Sequence, residues 1–194
     1  MTTTHFVRRE LRRNVLLERK FERAVPGDLR VTDAADETIV EGHASVWGLA
    51  DRGDDVVERG AFAASLRRLK AAGQMPKLLW QHDPAQPIGV WDEVREDGHG
   101  LYVKGRIVTD VARGREAAAL VRAGAIDGLS IGYRAVKAAK DDRGRRRLVE
   151  VDLWEVSLVT FPMLPEARLA LKGAALLQNL AREVARARET LRTA

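Results

Sequence analysis

RRLVEVDLWEVSLVTF, residues 146–161, together with LSIGYRAVKAAK at 129–140, decides how this chain folds. Both runs are rich in β-branched and large apolar residues, and the DDRG between them is a turn signal, so the pair reads as an antiparallel hairpin. Within it, LWEVSLVTF reads as a buried strand with one misfit, the carboxylate of Glu155. Along a strand Glu155 shares a face with Leu153, Ser157 and Val159, while Trp154, Val156 and Leu158 point the other way. Both faces are largely apolar, so water is a poor partner and a charge buried there needs a protein one.

Two other segments offer partners. The apolar run KLLWQHDP (77–84) carries His82 at a strand-to-loop transition, and DGLSIGY (127–133) carries Ser130 between Gly128 and Gly132. Serine, histidine and carboxylate are the ingredients of an activated nucleophile, because a hydroxyl is a weak nucleophile until an imidazole within hydrogen-bond reach takes its proton. The flanking glycines let the backbone at Ser130 approach a substrate closely, and they equally suit a bulge. Ser65 falls on a helix, Ser45 in an alternating strand, and Ser157 lacks glycines. Among the histidines His5 is in a tail and His99 in a turn, which leaves His43 as the rival to His82. A structural ion pair between Glu155 and Arg134 across the hairpin is the competing reading, and Asp152, on the opposite strand face, is the fallback carboxylate.

Outward from the hairpin, residues 6–24 alternate charged and apolar positions and suit helix, strand or both, with a PGD turn at 26–28. TIVEGHASVWG (38–48) reads as a strand, DRGDD (51–55) as a loop, and AFAASLRRLKAAG (61–73) as an amphipathic helix stopped by Gly73 and Pro76. IGVWDEVRED and GLYVKGRIV form a hairpin about DGHG, GREAAALVRAGA (114–125) is a second helix, and residues 166–192 after FPMLP form a long one. Strands with helices inserted between them, and no strict βαβ alternation, predict an α+β fold built on an antiparallel β-barrel with surrounding helices. Three segments follow: a basic N-terminal segment (1–25), a central domain (26–165) and a basic amphipathic C-terminal helix (166–194).

Composition narrows the function. The net charge of +5 sits at the ends, where residues 1–25 hold seven Lys or Arg against three Glu and residues 166–194 hold six against three. The central domain is therefore slightly acidic, and with aromatics at 5% it lacks the basic, stacking surface of a nucleic-acid binder. There is no cysteine, so neither a thiol nucleophile nor a disulfide framework is available. No apolar stretch approaches the roughly 20 residues of a membrane helix, and no signal peptide is evident, so a cytoplasmic protein is expected. His43, Asp54, Asp55, His82 and Asp83 hold enough donors for a metal site, but short ligand pairs such as HExxH are absent. No P-loop or dinucleotide fingerprint occurs, and no cofactor is expected.

Five blocks carry a resemblance: EGHASVWG (41–48), DVVERGAFAASL (55–66), PKLLWQHDPAQPIGVWDEVREDGHGLYVKGRI (76–107), IDGLSIGYR (126–134) and DLWEVSLVTFPMLPEARL (152–169). In this order they resemble the prohead maturation proteases of HK97-type tailed phages, a family also found in gene transfer agents. The resemblance implies a herpesvirus-assemblin-like fold and a serine endopeptidase that cleaves scaffold and capsid protein, and itself, inside the immature capsid of a bacterial host. Carried onto GLSIGY and WQHD, it implies Ser130 as nucleophile and His82 as base. The third member in assemblin-like proteases follows the serine on a later strand and is sometimes histidine. No histidine follows His99 here, so a third member following Ser130 must be something else, with Glu155 the choice and Asp152 the fallback. The implied partners are the major capsid protein and its scaffold segment, with self-association through the C-terminal stripe of Leu169, Leu176, Leu177, Leu180, Val184 and Leu191 also open. Arg134 and the FPMLP turn are the candidates for oxyanion donors. The alternative is a non-catalytic capsid-assembly protein that binds scaffold without turnover.

Overall fold

The structure, a computed structural model, describes residues 18–22, 30–34, 37–51 and 53–161. Along them run β1 (Glu18–Glu22), β2 (Arg30–Ala34), β3 (Glu37–Val46), β4 (Asp55–Val57), α1 (Ala63–Ala71), β5 (Lys77–Trp80), β6 (Asp83–Glu96), β7 (Gly100–Ile107), α2 (Ala112–Arg122), β8 (Gly128–Lys140) and β9 (Arg146–Val159). The hairpin read from 129–161 is β8–β9, closed by Asp141, whose side chain accepts the backbone N–H groups of Arg143 and Arg145. The DGHG hairpin is β6–β7, turned in the same way by Asp97.

The strands form one sheet in the order β1-β8-β9-β5-β6-β7-β3-β2, with β4 attached to β9. Here the structure departs from the antiparallel barrel. β9 is antiparallel to β8 but parallel to both β4 and β5, so the sheet is mixed. β4 aligns with the first half of β9 (Asp55 with Arg146) and β5 with the second half (Lys77 with Glu155), and α1 bridges the two short strands. Parallel pairing of strands far apart in sequence leaves no turn signal between them, and the three-residue β4 is too short to stand out from its loop. Among the described residues the order runs from β1 to β2 without a closing pair, yet β3 touches β8 across four intervening strands, so the sheet curls into a half-barrel.

The inside of that curl is the core, where Phe62, Ile88, Leu101, Leu129, Leu153 and Val156 are buried together. The first helix falls within the segment expected (61–73), and the second overlaps its expected segment (114–125) but starts two residues earlier, at Ala112. The first helix packs on β9, where the Ser65 hydroxyl accepts the Leu153 backbone N–H at 2.9 Å. Its N-terminal Phe62 N–H finds the Glu96 carboxylate at 2.8 Å, which satisfies a donor no helix bond can reach. Of the segment 6–24, the part described is strand β1. The PGD turn, the long helix over 166–192 and most of the FPMLP turn lie outside the described residues. Among the described residues no helix is long and apolar enough to cross a membrane.

Candidate active site

Three strands meet where the sequence placed its misfit. The β8–β9 register sets Ser130 opposite Ser157 and Gly132 opposite Glu155. The parallel β9–β5 register sets Trp80 beside Leu158, and there β5 ends. The next two residues, Gln81 and His82, take φ values of +52° and +62°, a left-handed conformation that costs a non-glycine residue roughly 1–3 kcal/mol. Three hydrogen bonds hold that turn to β9 and the residue that follows it: Gln81 N–H to Leu158 O at 3.0 Å, Gln81 Nε2–H to Thr160 Oγ1 at 2.6 Å, and Thr160 N–H to Gln81 Oε1 at 3.3 Å. The turn carries His82 off its strand and against the face of the hairpin.

His82 uses both ring nitrogens. Nε2 lies 2.7 Å from Ser130 Oγ and Nδ1 lies 2.5 Å from Glu155 Oε1. An ionised carboxylate only accepts, so Nδ1 carries the proton and the Nε2 lone pair faces the serine hydroxyl, which donates to it. The second carboxylate oxygen, Oε2, accepts the Ser157 hydroxyl at 2.5 Å. The four side chains form one buried chain, Ser130–His82–Glu155–Ser157, with no residue in it more than 3% exposed. A hydroxyl held against an imidazole that a carboxylate orients has the geometry to be activated for attack on an acyl carbon.

The rival pairings formed elsewhere. Arg134 Nη2 lies 3.2 Å from Asp152 Oδ2, and Arg68 Nη2 lies 2.8 Å from the other oxygen of Asp152, so the expected alternative partner of Glu155 serves Asp152 instead. Partial burial alone would raise the Asp152 carboxyl; hydrogen bonds from Arg68 and Trp154 outweigh it and hold the group below its ordinary value. Asp152 is thus an ion-pair residue, and the carboxylate at His82 is that of Glu155. His43 Nε2 bonds Asp97 at 2.9 Å instead.

The residues weighed as metal ligands do not converge. Asp55 takes both Arg146 (2.8 and 2.6 Å) and the Tyr133 hydroxyl (3.1 Å), while Asp83 accepts the Ala85 N–H at 2.9 Å. Among the described residues no group of three His, Cys, Asp or Glu could hold a metal ion. Sequence reasoning missed Ser157, Gln81 and Thr160. Ser157 was legible only as the residue two beyond Glu155 on the same strand face, and nothing marked the Gln81–Thr160 clasp.

The family model of the caudovirus prohead serine protease matches residues 27–180. The prohead protease of Enterobacteria phage HK97 is 31% identical over 151 residues, which is 74% of this chain, and the chain spans 64% of that relative's length. The solved structure of the bacteriophage T4 capsid assembly protease superposes with a TM-score of 0.60 at 18% identity, covering 75% of this chain and 98% of that one. At that identity the likeness bears on the fold alone.

Proposed function

We propose that this chain, which belongs to the caudovirus prohead serine protease family, is a serine endopeptidase with Ser130 as nucleophile, His82 as general base and acid, and Glu155 as the group that orients the imidazole. The observation that carries the reading is the hydrogen-bond chain Ser130 Oγ–His82 Nε2 and His82 Nδ1–Glu155 Oε1, at 2.7 and 2.5 Å.

In this mechanism Ser130 Oγ attacks the scissile carbonyl carbon as its proton passes to His82 Nε2. The imidazolium so formed is stabilised by Glu155, which keeps its own charge, and it gives the proton to the leaving amine as the C–N bond breaks. Water then attacks the Ser130 ester, losing its proton to His82, and Ser130 recovers a proton as the ester bond breaks. Ser157 holds the far oxygen of Glu155 so that the near one faces His82.

The substrates in this reading are the major capsid protein and its scaffold segment, cut inside the immature capsid, and the protease itself. The curled mixed sheet would then be a variant of the herpesvirus-assemblin-like barrel. The test is co-expression of the chain, or of its Ser130→Ala variant, with the major capsid protein, followed by mass spectrometry of capsid-protein termini. Processing by the parent alone supports the reading. Equal processing by both overturns it, and processing by neither, with assembled particles formed, favours a non-catalytic assembly role.

A further inference from the structure

Ser130 has a strand on each side. On one side Ser157 of β9 lies opposite it; on the other lies Phe21 of β1, in an antiparallel register that runs from Glu18 with Tyr133 to Glu22 with Leu129. A strand has two hydrogen-bonding edges, so both edges of β8 at Ser130 are occupied. Ser130 has no exposed surface, and His82 and Glu155 are 2% and 3% exposed. A polypeptide reaches a serine nucleophile in extended form, and extended peptides are commonly held by adding a strand to a sheet edge. One neighbour of β8 therefore has to give way.

The two neighbours differ in what holds them. β9 is paired along its length with β8 and also carries β4 and β5, and it bears Glu155 itself. β1 has five residues, stands at the end of the strand order and, among the described residues, pairs with β8 alone. Removing it costs one short run of pairing and leaves the hairpin and His82 in place.

We infer that the outer edge of β8 is the docking edge for the main chain of an extended peptide substrate, and that β1 is its resident occupant, which has to leave before a substrate strand can lie across Ser130. The inference rests on the reading of Ser130 as nucleophile. It fixes the direction of the bound peptide as antiparallel to β8, with the residue that takes the place of Phe21 level with Ser130. It also makes release of β1 a step that limits cleavage, so the chain is latent until its N-terminal strand is drawn away.

The sequence has no cysteine, so a single pair can be introduced cleanly. In the full chain, Glu22→Cys with Leu129→Cys tests the edge reversibly, because oxidised and reduced forms share the same sequence and any cost of the substitutions cancels. A second full-chain variant, Arg19→Pro with Lys20→Pro, removes N–H donors from β1 and disfavours its pairing. The readout is the rate at which purified protein cuts the major capsid protein. The cross-linked form is expected to be at least tenfold slower than after reduction, and the proline variant at least threefold faster than its parent. A cross-linked form as fast as the reduced one, or a folded proline variant no faster than its parent, overturns the inference; if the proline variant loses its fold, the cross-linked pair decides alone. Ser130→Ala separates the two levels of argument. If it still cuts, the nucleophile reading has failed, whereas if it is silent while the cross-link has no effect, only the docking edge falls.

Discussion

Glu155 stands where Gly132 leaves room for it: a Cβ at position 132 would lie 2.1 Å from Glu155 Oε1 and 2.7 Å from its Cδ. The glycine next but one to Ser130 thus holds space for the carboxylate on the opposite strand, and the GLSIG pattern is a packing requirement of the His82–Glu155 pair. Gly132→Ala is expected to displace Glu155. Overpacking of this kind costs about 1–3 kcal/mol, and a shift of about 1 Å at a positioning group costs about a hundredfold in rate. Capsid-protein cleavage rates alongside urea denaturation check both figures; an alanine variant with parental activity would show that Glu155 need not stand there.

Ser157 donates to the outer oxygen of Glu155 from a fully buried position. Ser157→Ala leaves that oxygen short of a donor, at a cost of about 1–3 kcal/mol. Cleavage should fall roughly tenfold through kcat, with KM little changed, since Ser157 acts through the carboxylate of Glu155. A change confined to KM would contradict the assignment.

The Gln81–Thr160 clasp holds two left-handed residues at the root of His82. Gln81→Ala should lower kcat about tenfold, and Thr160→Val less, because its backbone bond to Gln81 survives. The double variant should match Gln81→Ala, since both changes break one unit. Additive losses would mean that the two residues act separately.

Asp97 tests acid stability away from the candidate active site. Burial alone would raise its carboxyl, but the N–H groups of Gly100 and His99 and the ring of His43 outweigh it and hold the group well below the ordinary carboxylate range. A depressed carboxylate stabilises the fold above its unfolded value, about 3.9, and that contribution is lost as pH falls toward the folded one. Asp97→Asn should therefore be about 1–2 kcal/mol less stable than the parent at pH 7, and the gap should close as the pH is lowered below 4. A gap constant down to pH 3 would contradict this.

The sequence made the site legible because Glu155 violates the pattern of its own strand. An apolar run tolerates a carboxylate only with a partner, and few histidines and serines were available to supply one. Strand pairing with close neighbours in sequence was equally legible, since β6–β7 and β8–β9 are joined by turns whose Asp97 and Asp141 announce them. The parallel pairs of β9 with β4 and β5 were not, because no local signal links residues so far apart. Ser157 and Gln81 escaped for a related reason: their roles depend on which strand lies beside them, and a serine or glutamine alone is compatible with many settings.

The most direct test of the central claim asks whether Ser130 and His82 work as one unit. Capsid-protein termini would be compared by mass spectrometry after co-expression with the parent, Ser130→Ala, His82→Ala and the double variant. Each single variant should lose processing roughly a thousandfold or more while keeping its fold, and the double should be no worse than either. Processing that persists in a folded Ser130→Ala protein would contradict the account.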